Sequence, residues 1–206
     1  IDGRATAVIN STTNGTYVLI DNKVNFKDTT NHWANDAIKD LGERMIIKGY
    51  SPETFAPDNN VTRAEFITMI VRALGLKPEK DVSPFTDVNK SDWFSGMVST
   101  AHKYGLVLGT GGSYRPHDEI TREEVMTIIA RAMKITELQT GESNNLIAAF
   151  ADGQSVSRWA IDGVEKCLDA GIVQGRPNNE LAPAANITRA EAATIIQRLL
   201  IKSGLI

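Results

Sequence analysis

The sequence predicts a mainly α-helical protein made of three helix–loop–helix repeats, with a short β-prone segment ahead of them. Two observations carry this reading. A segment of about fifty residues recurs three times, the signature of a repeat architecture. Within each copy, apolar residues fall at helical spacing on both sides of a loop rich in turn formers.

The copies run from Phe26 to Leu76, Phe85 to Ile135 and Phe150 to Leu200. Each reads Phe-x-Asp, then Trp, then Gly, then an apolar residue, x and Pro, then Thr-Arg-x-Glu. The step from Pro to Thr is five residues every time: Pro57 to Thr62, Pro116 to Thr121, Pro183 to Thr188. We divide the chain as 1–25, an N-terminal hairpin or the tail of a preceding β-rich region, followed by repeats at 26–80, 81–143 and 144–206.

In the first copy Trp33, Ala37, Ile38, Leu41 and Met45 share one helical face. Gly49 breaks that pattern, and Ser51–Asn60 is turn chemistry. The second helix puts Phe66, Met69, Ile70, Ala73 and Leu74 on its apolar face, and Gly75 is placed to cap its C-terminus. The segments around Phe55, Tyr114 and Leu181 are candidates for minimal strand pieces. A two-helix unit cannot bury its apolar surface alone, so the expected solution is a pseudo-threefold bundle with one helix per repeat near a common axis. Cys167, the only cysteine, aligns with Leu41 and Ala101 and reads as a buried small apolar residue. In the first 25 residues, Asn14-Gly15 between β-prone runs signals a hairpin. The segments 77–84 and 136–149 read as polar linkers.

Composition bounds the function. The net charge of −3 gives no global basic field for nucleic acid. No apolar run reaches the roughly 20 residues of a membrane span. A lone cysteine excludes an internal disulfide framework. His32, His102 and His117 have no metal-ligand spacing, and no nucleotide or nucleophile-elbow fingerprint is present, so neither metal nor cofactor is expected. Gly109–Gly112 reads as a turn. The chain opens at Ile1 without Met or a signal peptide, as expected of a piece of a longer protein.

The recurring motif carries the remaining chemistry. Thr62 with Glu65, Thr121 with Glu124 and Thr188 with Glu191 have the form of capping boxes. Arg63, Arg122 and Arg189 stand at the first helical position, where the helix dipole disfavours a cation. Two explanations stay open: an anion site at the helix N-terminus, or pairing with an acidic residue of a neighbouring repeat, such as Asp28, Asp87 or Asp152. Trp33, Trp93 and Trp159 are either core residues of the first helical turn or platforms for a sugar ring. Gly49, Gly109 and Gly175 are expected to end the first helices at positive φ, and are candidates for close ligand approach. A threefold motif points to repeated equivalent binding, not to one reaction centre.

These residues, in this order and spacing, resemble the S-layer homology domain, present as a triplet over Phe26 to Leu200. The resemblance implies a three-pronged spindle around a central helical bundle. It implies an extracellular module of Gram-positive bacteria that binds, without catalysis, a secondary cell wall polysaccharide attached to peptidoglycan. The implied epitope is pyruvate-ketal-bearing N-acetylmannosamine, held in inter-repeat grooves where Arg63, Arg122 and Arg189 face the pyruvyl carboxylate and the Trp and loop Gly positions shape the walls. The isolated module is expected to be monomeric; the competing reading is a self-assembly module whose arginines pair between copies. In the second motif Glu123 stands where the others have Ala64 and Ala190, and would oppose an anion if it pointed into the groove. The grooves are therefore expected to be unequal.

Overall fold

The computed structural model describes residues 21–79, 83–141 and 145–206. Most of the predicted N-terminal hairpin lies outside them. Among the described residues are six α-helices: α1 (Asn35–Glu43), α2 (Arg63–Ala73), α3 (Ser95–Lys103), α4 (Arg122–Ile135), α5 (Ile161–Asp169) and α6 (Arg189–Lys202). They fall two to a repeat. The segments around Phe55, Tyr114 and Leu181 form no strands; only isolated bridges occur among the described residues.

The second helices start where the sequence places them, because the capping box sets the start. In each, the Thr side chain accepts from the Glu amide three residues on, and that Glu accepts from the Thr amide. The first helices are shorter than their apolar pattern. Trp33 precedes α1, and Met45 lies beyond its end in the left-handed region. Their C-terminal left-handed positions are Met45 (φ 59°), Gly105 (φ 69°) and Gly171 (φ 64°).

Gly49, Gly109 and Gly175 therefore do not end the first helices, and only Gly109 has positive φ. Their requirement is space. A Cβ at Gly49, Gly109 or Gly175 would lie 2.5, 2.2 or 2.6 Å from a ring carbon of Phe26, Phe85 or Phe150. The Phe of each Phe-x-Asp motif rests on the glycine of its own repeat. The Asp of that motif holds the loop in place. Asp28 accepts from the amides of Phe55 and Ala56, Asp87 from Tyr114 and Arg115, and Asp152 from Leu181 and Ala182. Ala56, Arg115 and Ala182 all sit near φ +50 to +59°. The carboxylate pins a left-handed residue just before each Pro.

Helix packing crosses repeat boundaries. α3 packs on α2, α5 on α4, and α1 returns to α6. The first helix of each repeat thus lies on the second helix of the repeat before it, and repeat one completes the cycle with repeat three. A ring of three backbone hydrogen bonds marks the pseudo-threefold axis. Val61 donates to Ile187 (3.0 Å), Ile187 to Ile120 (3.1 Å) and Ile120 to Val61 (3.0 Å). All three side chains are fully buried. One apolar core runs through all repeats, with Phe55, Phe66, Phe94 and Tyr114 among its largest members. Cys167 is buried in it beside the Met126 carbonyl, and burial pushes its thiol far above the ordinary range.

Candidate functional site

The start of each second helix is plugged by the next repeat. The amides of Arg63 and Ala64 donate to Asp118 and Pro116, those of Arg122 and Glu123 to Ala185 and Pro183, and those of Arg189 and Ala190 to Asn59 and Pro57. With the third amide taken by the Thr cap, these N-termini have no free donor in the first turn for an anion. The reading of a bare helix N-terminus as an anion site is corrected on this point.

The motif arginines reach across the same junctions. Arg63 Nε donates to the Tyr114 carbonyl and Nη1 to Glu124 (2.5 Å). Arg122 does the same with Leu181 and Glu191 (3.0 Å). Arg189 Nε donates to Phe55 and Nη2 to the Lys48 carbonyl, and Nη1 is 3.6 Å from Glu65. Arg122 and Arg189 are only 4% and 3% exposed. Each motif Arg thus neighbours the motif Glu of another repeat. Asp28 and Asp152 act on Arg189 and Arg122 through space, but their oxygens, like those of Asp87, accept from loop amides, and none forms a direct ion pair with a motif arginine.

Trp33, Trp93 and Trp159 are 65%, 64% and 58% exposed, which removes the core-packing alternative. Each indole borders one of three equivalent grooves. Groove 1 lies over α2 and the Gly49 loop, with Trp93 and Arg189. Groove 2 lies over α4 and the Gly109 loop, with Trp159 and Arg63. Groove 3 lies over α6 and the Gly175 loop, with Trp33 and Arg122. The repeats contribute cyclically, so every groove takes its floor from one repeat, its indole from a second and its motif Arg from the third.

A second set of arginines lines the same grooves and was missed in the sequence. Arg72, Arg131 and Arg198 each stand nine residues after the motif Arg. The triple alignment contains this signal, but an Arg on a helix reads as an ordinary solvated position. A third cation completes each groove: Lys48, Arg115 or Arg176. One Glu of the capping box opposes them, leaving each groove a surplus of two positive charges.

The grooves differ in how those charges are used. In groove 3 Arg176 grips both oxygens of Glu191 (2.8 and 2.9 Å), which also accepts from Arg122. Burial raises the Glu191 carboxyl, but the Arg176 bonds, the Thr188 amide and Arg122 outweigh it and hold it below its usual value. In groove 2 Arg115 lies 3.5 Å from both Glu124 and Asp118. Glu123 does not point into that groove. It is 7% exposed and accepts from the amide and hydroxyl of Ser157, two residues before Trp159.

The model of the S-layer homology domain matches the chain at residues 25–67, 84–126 and 149–193. Similar proteins include an amylopullulanase of Thermoanaerobacterium thermosulfurigenes (41% identical, covering 97% of this chain and 11% of that protein). Others are exoglucanase XynX of Acetivibrio thermocellus (40%; 90% and 17%) and an S-layer protein of Bacillus thuringiensis subsp. finitimus (28%; 81% and 20%). The chain belongs to the S-layer homology domain family. It is a binding module of the extracellular cell surface that serves in surface anchoring, and it spans a fifth or less of the length of these relatives.

Proposed function

We propose that the module anchors its parent protein to the wall by binding an anionic secondary cell wall polysaccharide in the three grooves, with pyruvate-ketal-bearing N-acetylmannosamine as the recognised unit. The observation that carries this reading is that the three tryptophans are all exposed, each beside a groove with surplus positive charge. An exposed indole offers a flat apolar face to a pyranose ring and an N–H to a hydroxyl. Guanidinium groups grip a carboxylate with two parallel bonds. The motif arginines supply charge at the groove floor, while the second-helix arginines line the wall. Gly49, Gly109 and Gly175 keep the loops low by admitting a Phe ring beneath them.

Relatives named as S-layer proteins and relatives named as enzymes carry the same module, which fits an anchor joined to different cargo. The motif arginines find carboxylates within their own chain, which weighs against a self-assembly module that needs them between copies. Their intramolecular pairing supports a monomeric module.

Co-sedimentation with purified wall sacculi, before and after removal of the non-peptidoglycan polymer, tests this. Binding is expected to disappear on stripping. Binding that survives stripping overturns the proposal.

A further inference from the structure

We infer that groove 1 is where the module takes an acidic sugar, and that Lys48 and Arg72, rather than the motif arginines, are the groups that hold its carboxylate. This rests on the polysaccharide reading above. The three grooves offer equal charge, so what distinguishes them is which cations are uncommitted. In groove 3 Arg176 is bound bidentately to Glu191, and Arg198 donates to the Ile172 carbonyl and to Gln174 (3.3 Å each). The chain's own carboxylate already occupies the place a ligand carboxylate would take. In groove 2 Arg115 lies between two carboxylates and Arg131 donates to the Leu106 carbonyl (2.9 Å).

Groove 1 is different. Arg189 is fixed by two carbonyls and sandwiched between the rings of Tyr50 and Phe55, 4.5 and 4.4 Å from their centroids. Neither the Lys48 ammonium nor the Arg72 guanidinium has a hydrogen-bonding or ion-pair partner among the described residues, and both line the groove. Burial pushes both Arg72 and its groove 2 counterpart Arg131 below their ordinary value; Arg131 offsets this cost with the Leu106 carbonyl, whereas Arg72 has no such partner among the described residues and a bound carboxylate would relieve it. Groove 1 is also the smallest, about 260 Å³ against 390 and 510 Å³ for grooves 2 and 3, a size suited to one sugar unit more than to a longer segment. Its rim carries Trp93 and Tyr50, 64% and 57% exposed, as faces for the sugar ring.

The test uses three double variants: Lys48→Gln with Arg72→Gln, Arg115→Gln with Arg131→Gln, and Arg176→Gln with Arg198→Gln. Each is titrated calorimetrically with the methyl glycoside of pyruvate-ketal-bearing N-acetylmannosamine and with its unpyruvylated counterpart, and each is sedimented with sacculi. The Lys48/Arg72 pair has no intramolecular partner to lose, so its variant is expected to melt like the wild type. It is expected to lose at least about tenfold in affinity for the charged glycoside, with the others within about twofold. An unchanged Lys48/Arg72 variant beside a weakened groove 2 or groove 3 variant overturns this inference and leaves the wall reading standing. Wild-type binding to sacculi that is indifferent to stripping removes the wall reading itself.

Discussion

Glu191 accepts a hydrogen bond from Arg122, a residue 69 positions away in the preceding repeat, while it caps the helix that begins two residues before it. One carboxylate thus stabilises a local helix start and a junction between repeats. Glu65 and Glu124 occupy the same place at the other two junctions.

Arg122→Ala is expected to destabilise the fold by about 1–3 kcal/mol, because the Leu181 carbonyl loses its donor while Glu191 keeps Arg176 and the Thr188 amide. Arg63→Ala, at a more exposed junction, should cost less. Urea unfolding measures both. A cost below about 1 kcal/mol for Arg122→Ala would show that solvent screens this pair as it does surface pairs. Loss of wall binding in motif-Arg variants has to be judged against this loss of fold.

Single Trp33→Ala, Trp93→Ala and Trp159→Ala variants should weaken sedimentation with sacculi while changing stability by less than about 1 kcal/mol, since exposed side chains contribute little to the core. A large drop in melting temperature in these variants would mean that the indoles pack in solution.

Met45→Gly is expected to stabilise the chain by about 1 kcal/mol. Met45 sits at φ 59° where the other repeats have Gly105 and Gly171, and at 49% exposure its side chain gives up little burial. Gly109→Ala should do the reverse, costing about 1–3 kcal/mol as its Cβ meets the Phe85 ring. Gly105→Ala, with open space around it, isolates the backbone cost alone. Thermal melts of the three variants check the order.

Acid should loosen the loops. In Asp28 and Asp87 burial raises the carboxyl, but amide bonds from Phe55 and Ala56, or Tyr114 and Arg115, outweigh it, so both lie below 3.8. A carboxyl lowered by folding stabilises above its unfolded value and loses that contribution as pH falls through the lowered one. Stability from these groups is therefore full above about pH 4 and declines below it. Asp87→Asn should be less stable than wild type at about pH 7, with the gap narrowing as the pH falls below about 4, as read by urea midpoints.

The repeats and the capping boxes were legible because both are local patterns with fixed spacing. The pairing of helices was not. α1 finds α6 across most of the chain, and no periodicity encodes which repeat a helix leans on. Pairing of the motif arginines with an acid of a neighbouring repeat was legible, but not which acid: Arg122 meets the Glu of another copy of its own motif, while Asp152 accepts from Leu181 and Ala182. The tryptophans kept helical register with core residues but sit ahead of the helices, so register misplaced them. Arg72, Arg131 and Arg198 were visible as a recurrence, yet only the fold brings them to the grooves.

The cyclic exchange of parts sets a minimum copy number for a complete groove. Since each groove draws its floor, indole and motif arginine from three different repeats, a single repeat owns no groove, and a tandem pair cannot supply all three parts to any of them. A one-repeat ancestor could have reached the same surface only as a trimer of separate chains. With the copies in one chain, the ring forms independently of protein concentration, and each groove is free to change on its own.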